Sequence, residues 1–151
     1  MARVVLVILI AMACMWTGNA FGQLELAITN VSIEPTPQGV NGPKLTLHMS
    51  RSYRFQVTIE RGGPGQLADT QCFTVRTECI KDGKSVVLGV ARVGVTPGMG
   101  WNVYATYDVF PSAAGAGDCV LRTTIDVLNE VTEPDESSNS NVWDRGATIR
   151  E

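Results

Sequence analysis

The stretch CFTVRTECIKDGKSVVLGVARVGV, from Cys72 to Val95, decides the fold of this chain. In its first half, every second residue lies on the same face of a predicted strand. These residues are Phe73, Val75, Thr77 and Cys79. Asp82 and Gly83 then supply the positive φ angles that a tight primed turn needs. Residues 85–95 form the returning strand, so the stretch predicts an antiparallel β-hairpin.

The same period-two alternation recurs along the rest of the chain, interrupted by loops rich in glycine and proline. The alternating runs lie at 24–33, 45–49, 53–59, 101–110, 119–127 and 142–149. The first run changes phase near Asn30, which predicts a β-bulge. The second and third runs fit either two strands or one long bent strand. With no helical periodicity anywhere, the pattern predicts an all-β fold, an immunoglobulin-like antiparallel β-sandwich of about seven strands.

The first 22 residues have the form of a secretory signal peptide, with Arg3, an apolar run at 4–13, and small and polar residues after it. The apolar run is too short to span a bilayer. Cleavage after Ala20 or Gly22 leaves residues 23–151 as one domain. The alternative is a lipoprotein signal in which Cys14 is acylated. We therefore predict a secreted, periplasmic or cell-surface protein, with the Cys14 lipoprotein as the alternative.

The charge balance narrows the classes of partner. The 151 residues carry a net charge of −3, and removing the signal takes away one basic residue, Arg3, and no acidic one, which leaves −4. Nucleic-acid binding calls for a basic face, and binding at a membrane surface calls for a basic amphipathic segment. Neither is present in the sequence. We expect no nucleic-acid partner and no membrane insertion of the mature chain.

The segment DVLNEVTEPDESSNSN, residues 126–141, places five carboxylates in its first eleven residues. Calcium takes six to eight oxygen ligands in flexible geometry, and the oxygen-bearing candidates are Glu130, Glu133, Asp135, Glu136, Asn139 and Asn141. The possible calcium ligands that we single out are Glu133, Asp135, Glu136 and Asn139. The favoured alternative is structural: the segment orders the crossover between the last two strands. We predict no cofactor, with calcium as the alternative.

The sequence offers no recognisable catalytic arrangement. His48 is the only histidine, it lies on the polar side of its strand, and no motif places a nucleophile beside it. We predict that the protein is not an enzyme and has no catalytic residues. Trp101, Tyr104 and Trp143 could stack against a ligand, but at alternating strand positions we expect half-buried packing instead.

Three cysteines remain after removal of the signal, and an oxidising compartment favours pairing two of them. Cys72 and Cys79 cannot pair, because seven residues of one extended strand separate them by about 23 Å, whereas a disulfide needs Cα atoms within about 7 Å. Strand parity puts Cys79 and Cys119 on the core face, and adjacent antiparallel strands would bring them opposite each other. We predict a Cys79–Cys119 disulfide, with Cys72 left as a free thiol or an intermolecular link.

The acidic segment resembles the end of the cell-adhesion-related domain found in bacteria, CARDB. The matching positions are Asp126, Val131, Glu133, Glu136 and Asn139, while Ser138 replaces the first of a pair of asparagines. Upstream, residues 55–86 are similar to the family's strand, glycine loop, strand and Asp-Gly turn. Val95-Thr96-Pro97-Gly98 resembles its next turn. The similarity covers most of residues 24–151.

The resemblance implies an extracellular or periplasmic immunoglobulin-like module that acts in adhesion or as a spacer. We therefore predict a secreted or cell-surface, non-enzymatic interaction module. Its expected partner is a protein or glycan at a cell surface, and an oligomer is possible. The alternatives are a calcium-dependent binding protein that uses residues 126–141 and a structural subunit of a surface assembly.

Overall fold

In a computed structural model of the chain, the described residues are 25–62, 70–126 and 141–151. They form eight strands: β1 (Glu25–Glu34), β2 (Lys44–His48), β3 (Tyr53–Gly62), β4 (Gln71–Lys81), β5 (Lys84–Val95), β6 (Asn102–Val109), β7 (Gly117–Ile125) and β8 (Val142–Arg150). The predicted signal peptide and Cys14 lie outside these residues and stay predictions. Within the described ranges, no helix is long and apolar enough to cross a bilayer.

The strands form two sheets, with orders β1-β3-β6 and β2-β8-β7-β4-β5. Neighbours are antiparallel except β2 and β8, which pair in parallel. The predicted immunoglobulin-like β-sandwich is therefore confirmed, although one strand pair departs from a purely antiparallel arrangement.

Two of the predicted runs are separate strands in different sheets, which raises the strand number from about seven to eight. β2 ends at His48 and β3 begins at Tyr53. A turn between them, closed by the hydrogen bond from Arg51 N to His48 O at 3.2 Å, carries the chain from one sheet to the other. The hydroxyl of Tyr53 also accepts a hydrogen bond from His48 N at 3.0 Å.

The alternating side chains meet between the sheets as one core. Its members without measurable exposure are Leu47, Phe55, Val57, Ile59, Phe73, Val75, Val95, Val109, Leu121 and Ala147. Each fully buried aliphatic or aromatic side chain contributes about 1.5–3 kcal/mol relative to leaving it in water. The core therefore follows from the period-two pattern of the sequence.

Two local features predicted from the sequence are confirmed. The β4–β5 hairpin turns at Asp82 and Gly83, which have φ angles of 51° and 73°. In β1 the pairing with β3 shifts between Ile28 and Asn30, so that Thr29 is the extra residue of a bulge. The bulge lets Ile28 and Val31 both pack against the core.

The two lateral sides of the sandwich differ. At the side that we call closed, β5 lies against β6, and Phe110 N donates a hydrogen bond to Leu88 O at 3.0 Å. Gly89 makes this approach possible, because a Cβ there would lie 2.5 Å from Asp108 O. At the open side, β1 faces β2 and β8 across a cavity of about 260 Å³. We call this cavity the cleft.

A buried polar contact joins the sheets inside the core. Thr77 Oγ1 lies 2.7 Å from the Tyr107 hydroxyl on β6 and 2.8 Å from Thr123 Oγ1 on β7. Burial raises the pKa of Tyr107, and the hydrogen bonds with Thr77 and Thr123 act in the opposite direction. The three hydroxyl groups satisfy one another, so the core carries polar groups without leaving these donors unpaired.

Candidate binding site

Two aromatic side chains stand in solvent near the start of β6. Trp101 is 72% exposed and Tyr104 is 56% exposed, and Met99 beside them is 37% exposed. The predicted half-buried packing is therefore wrong for Trp101 and Tyr104. Trp101 lies in the connection that precedes β6, which begins at Asn102, and Tyr104 lies on the outer face of an edge strand. We call Met99, Trp101 and Tyr104 the β6 tip.

Arg61 at the end of β3 fixes the turn that carries Trp101. Its Nε donates to Gly100 O at 2.9 Å and its Nη2 donates to Met99 O, while its backbone N–H donates to Trp101 O at 2.8 Å. The sulfur of Met99 also accepts a hydrogen bond from Thr96 N at 3.2 Å. These hydrogen bonds therefore order the backbone around Trp101 in the unbound protein.

The described surface around the β6 tip carries both charged and neutral polar residues, with Arg61 bonded to the turn itself. Across the sheet, Thr58 pairs with Tyr104 and Glu60 with Asn102. Towards the far end of the same face, Arg54 and Asp108 form an exposed ion pair at 3.5 Å.

Trp143 on β8 differs from the other two aromatic residues, because it is half-buried and packs against the core, as predicted. It lines the cleft on the open side. Arg145, two residues on and on the same face of β8, lines the same cleft.

The acidic segment is described only at its two ends. Asp126 directly follows β7, is buried, and has a positive φ of 52°. The other motif residues, Val131, Glu133, Glu136 and Asn139, lie outside the described residues, as does the possible ligand Asp135. Across residues 25–62, 70–126 and 141–151, no group of three or more His, Cys, Asp or Glu side chains could hold a metal ion. The calcium hypothesis stays a prediction.

The histidine occupies a structural position. His48 lies at the end of β2 on its outer face, opposite Arg150. Its Nδ1 is 3.5 Å from the backbone oxygen of Glu151. Its neighbours are thus the chain end and the Tyr53 hydroxyl.

The predicted Cys79–Cys119 disulfide is not formed: both residues are buried free thiols. The predicted register is wrong by two residues, since Cys79 pairs with Leu121 and Cys119 with Ala147. Thr77 pairs with Thr123 and the two hydroxyls bond, which sets this register. The two cysteines are thus diagonal neighbours, for which Cα separations are about 7–8 Å, beyond the usual disulfide range of about 4.4–6.8 Å.

The side chains of the two cysteines nevertheless interact. Burial, followed by the hydrogen bond with the Cys79 thiol, raises the pKa of Cys119 to about 12. The thiol of Cys119 therefore stays protonated at neutral pH and is a poor nucleophile. Cys72 is buried on the other face of β4 and is not a free thiol, so that alternative of the prediction is wrong.

Comparison with known proteins identifies the fold. No family model and no curated protein matches the sequence. A crystal structure of a CARDB domain from Pyrococcus furiosus, in complex with di-metal ions, matches with a TM-score of 0.51 and 19% identity, covering 86% of this chain and 96% of that one. The solution structure of the same domain matches with a TM-score of 0.51 and 19% identity, covering 85% and 96%.

A β-glucosidase from Listeria innocua in complex with glucose matches with a TM-score of 0.47 and 12% identity, and the match covers 89% of this chain and 17% of the glucosidase. The matches to the CARDB domain structures confirm, at the level of the fold, the resemblance that the sequence suggests.

Proposed function

We propose that this protein is a secreted or cell-surface interaction module without catalytic activity, and that it binds a partner protein through the β6 tip. The observation that carries the proposal is the exposure of Trp101 at 72% on a turn that Arg61 fixes with hydrogen bonds. The CARDB-like fold and the predicted signal peptide at residues 1–22 both support this function.

The residue types at the β6 tip support a protein partner. Tryptophan and tyrosine are enriched among the residues that carry most of the binding energy in protein interfaces, and methionine is enriched in interfaces generally. A pre-ordered turn reduces the conformational entropy lost on binding.

Binding to intact cells and to arrays of cell-surface proteins and glycans tests the proposal. Labelled protein is compared with Trp101→Ser and Tyr104→Thr, and with Phe110→Ser as a matched control, since Phe110 is 51% exposed beyond the other end of β6. We expect protein targets whose binding is lost with the first two variants and kept with the control. Targets that bind all three variants equally would refute the β6 tip as the site, and glycan-only targets would refute a protein partner.

Calcium-dependent binding is the second candidate. The carboxylates of residues 126–141 favour it, and the similar Pyrococcus furiosus domain was crystallised with di-metal ions. Calorimetric titration with calcium and thermal melts with and without chelator separate the two candidates. Heat of binding and a raised melting temperature at millimolar calcium would support metal dependence, and the absence of both would remove it.

A further inference from the structure

The cleft on the open side of the sandwich has one wall from each sheet. Its lining includes Ile28 and Val31 from β1, Val40 from the loop before β2, and Trp143 and Arg145 from β8. The bulge at Thr29 bends β1 at this point, so the cleft exists because the edge strand has one residue more than its partner. The volume, about 260 Å³, is near the lower end of the range of ligand pockets.

Among the described residues that line the cleft, Arg145 alone is charged, and its guanidinium is fixed in place. Its Nη2 donates to Val40 O at 2.7 Å and to Gly42 O at 2.5 Å. The loop that supplies these carbonyls is itself ordered by a backbone hydrogen bond, in which Thr46 N donates to Gln38 O at 2.8 Å. The guanidinium of Arg145 is therefore already ordered without a ligand.

One donor of Arg145 remains unsatisfied. Its Nε is buried, and no residue of the described ranges accepts a hydrogen bond from it. Nor does any described carboxylate form an ion pair with Arg145, whereas Arg54, Arg76 and Arg122 are each paired with an acid. A buried charged donor without an acceptor is costly, so an anionic acceptor that reached Nε would remove that cost.

The remainder of the cleft is largely apolar. Trp143 presents a half-buried indole, and Ile28 and Val31 are partly buried and pack against the core. Val40 at the mouth is 45% exposed. These side chains fit a small ring or branched chain better than an inorganic anion, which would gain nothing from an apolar wall.

We propose that the cleft binds a small organic carboxylate with an apolar body, its carboxylate accepting hydrogen bonds from Arg145 and its body packing on Trp143, Ile28 and Val31. The Nε–H of Arg145 suits this role because a hydrogen bond between a guanidinium and a carboxylate is charge-assisted and stronger than one between neutral groups. The site is independent of the β6 tip, so either proposal can fail alone.

Titration of the isotope-labelled full chain with phenylacetate, phenylacetamide and acetate tests the proposal, with the Arg145 Nε–H and Trp143 indole N–H signals followed by NMR. The amide keeps the ring and loses the charge, and acetate keeps the charge and loses the ring. We expect saturable shifts of both signals with phenylacetate. Binding should be at least about ten-fold weaker for phenylacetamide, which loses the charge-assisted hydrogen bond, and for acetate, which loses the apolar contact with the cleft wall.

Two variants and one control complete the test. Arg145→Gln removes the charge and should weaken phenylacetate binding at least about ten-fold, and Val31→Phe fills the cleft and should abolish it. Arg122→Gln alters a paired arginine on the outer face and should leave it unchanged. Dispersed spectra confirm that each variant is folded. Failure of phenylacetate to saturate these signals, equal binding of phenylacetamide, or unchanged binding in either cleft variant would overturn the proposal.

Discussion

Trp101 and Trp143 are the two tryptophans of the described residues, and they show how differently the two lateral sides of the sandwich are built. Trp101 stands beside the closed side, 72% exposed on a fixed turn. Trp143 stands at the open side, half-buried in the wall of the cleft. On the closed side, where β5 contacts β6, the side chain of Trp101 projects into solvent. Where β1 and β2 separate, a cleft remains beside Arg145, which forms no ion pair with a carboxylate of the described residues.

Closure at β5 and β6 should be the most sensitive part of this arrangement. Gly89→Ala places a Cβ 2.5 Å from Asp108 O and 3.0 Å from a Tyr107 ring carbon, so the strands must separate, at a cost of about 3 kcal/mol. Chemical denaturation measures the loss. The control is Gly94→Ala on the same strand, where the nearest atom, Cys72 Sγ, would be 3.7 Å from the new Cβ. Equal stability of the two variants would show that the closed side is not closely packed.

The two tryptophans should differ next most strongly. Trp143→Ala removes a half-buried indole that packs against the core, which should cost about 2 kcal/mol, roughly half the value for a fully buried aromatic residue. Trp101→Ala should change the free energy of unfolding by less than about 0.5 kcal/mol, as is usual at exposed positions. Urea denaturation of both variants checks this. A larger loss for Trp101→Ala would contradict the assignment of Trp101 to a binding role.

A tyrosine pair on β6 extends the comparison into the core. Tyr107→Phe removes the hydroxyl that contacts Thr77 across the sheets, and we expect a loss of about 1 kcal/mol. Tyr104→Phe removes an exposed hydroxyl on the same strand and should have no measurable effect on the melting temperature. If both variants melted like the parent, the contact between Tyr107 and Thr77 would not stabilise the fold.

The smallest effect on stability is expected at the ion pair between Arg122 and Asp144 on the outer face. Arg122 forms two hydrogen bonds with Asp144, at 2.8 and 2.7 Å, and these lower the pKa of Asp144. Because the folded pKa lies below the unfolded value of about 3.9, the stabilisation is present above about pH 4 and is lost as the pH falls through the folded pKa. At 42% exposure for each side chain, Asp144→Asn should cost at most about 0.5 kcal/mol at pH 7.

The same substitution should cost less at pH 2, because the stabilisation is lost as the pH falls through the folded pKa of Asp144. Denaturation at the two pH values provides the measurement. A cost that persisted undiminished at pH 2 would mean that Asp144 acts by packing and not by charge.

The sequence predicted the sandwich because period-two alternation determines which side chains are buried, as the fully buried Phe73 and Val75 show. It also predicted the bulge of β1, since the phase change near Asn30 is local. The Cys79–Cys119 register depended on a contact between Thr77 and Thr123 that is distant in sequence, so strand parity gave the correct face and the wrong partner.

The candidate sites were harder to predict. Trp101 has the parity of its strand, and the exposure of its side chain depends on where the turn before β6 ends. The glycines at 98 and 100 were the available signal. Nothing near Arg145 in the sequence indicates that it lines a cleft between the sheets without a described carboxylate paired to it, because its surroundings come from β1 and from the loop before β2.

Acrylamide quenching of tryptophan fluorescence tests the contrast between the two sides most directly. In a chain that carries Trp16→Phe, the further substitution Trp143→Phe leaves Trp101 as the emitter, and Trp101→Phe leaves Trp143. We predict red-shifted emission with strong quenching for Trp101, and blue-shifted emission with several-fold weaker quenching for Trp143. Phenylacetate should alter only the emission of Trp143. Equal quenching of the two tryptophans would contradict an exposed β6 tip opposite an enclosed cleft.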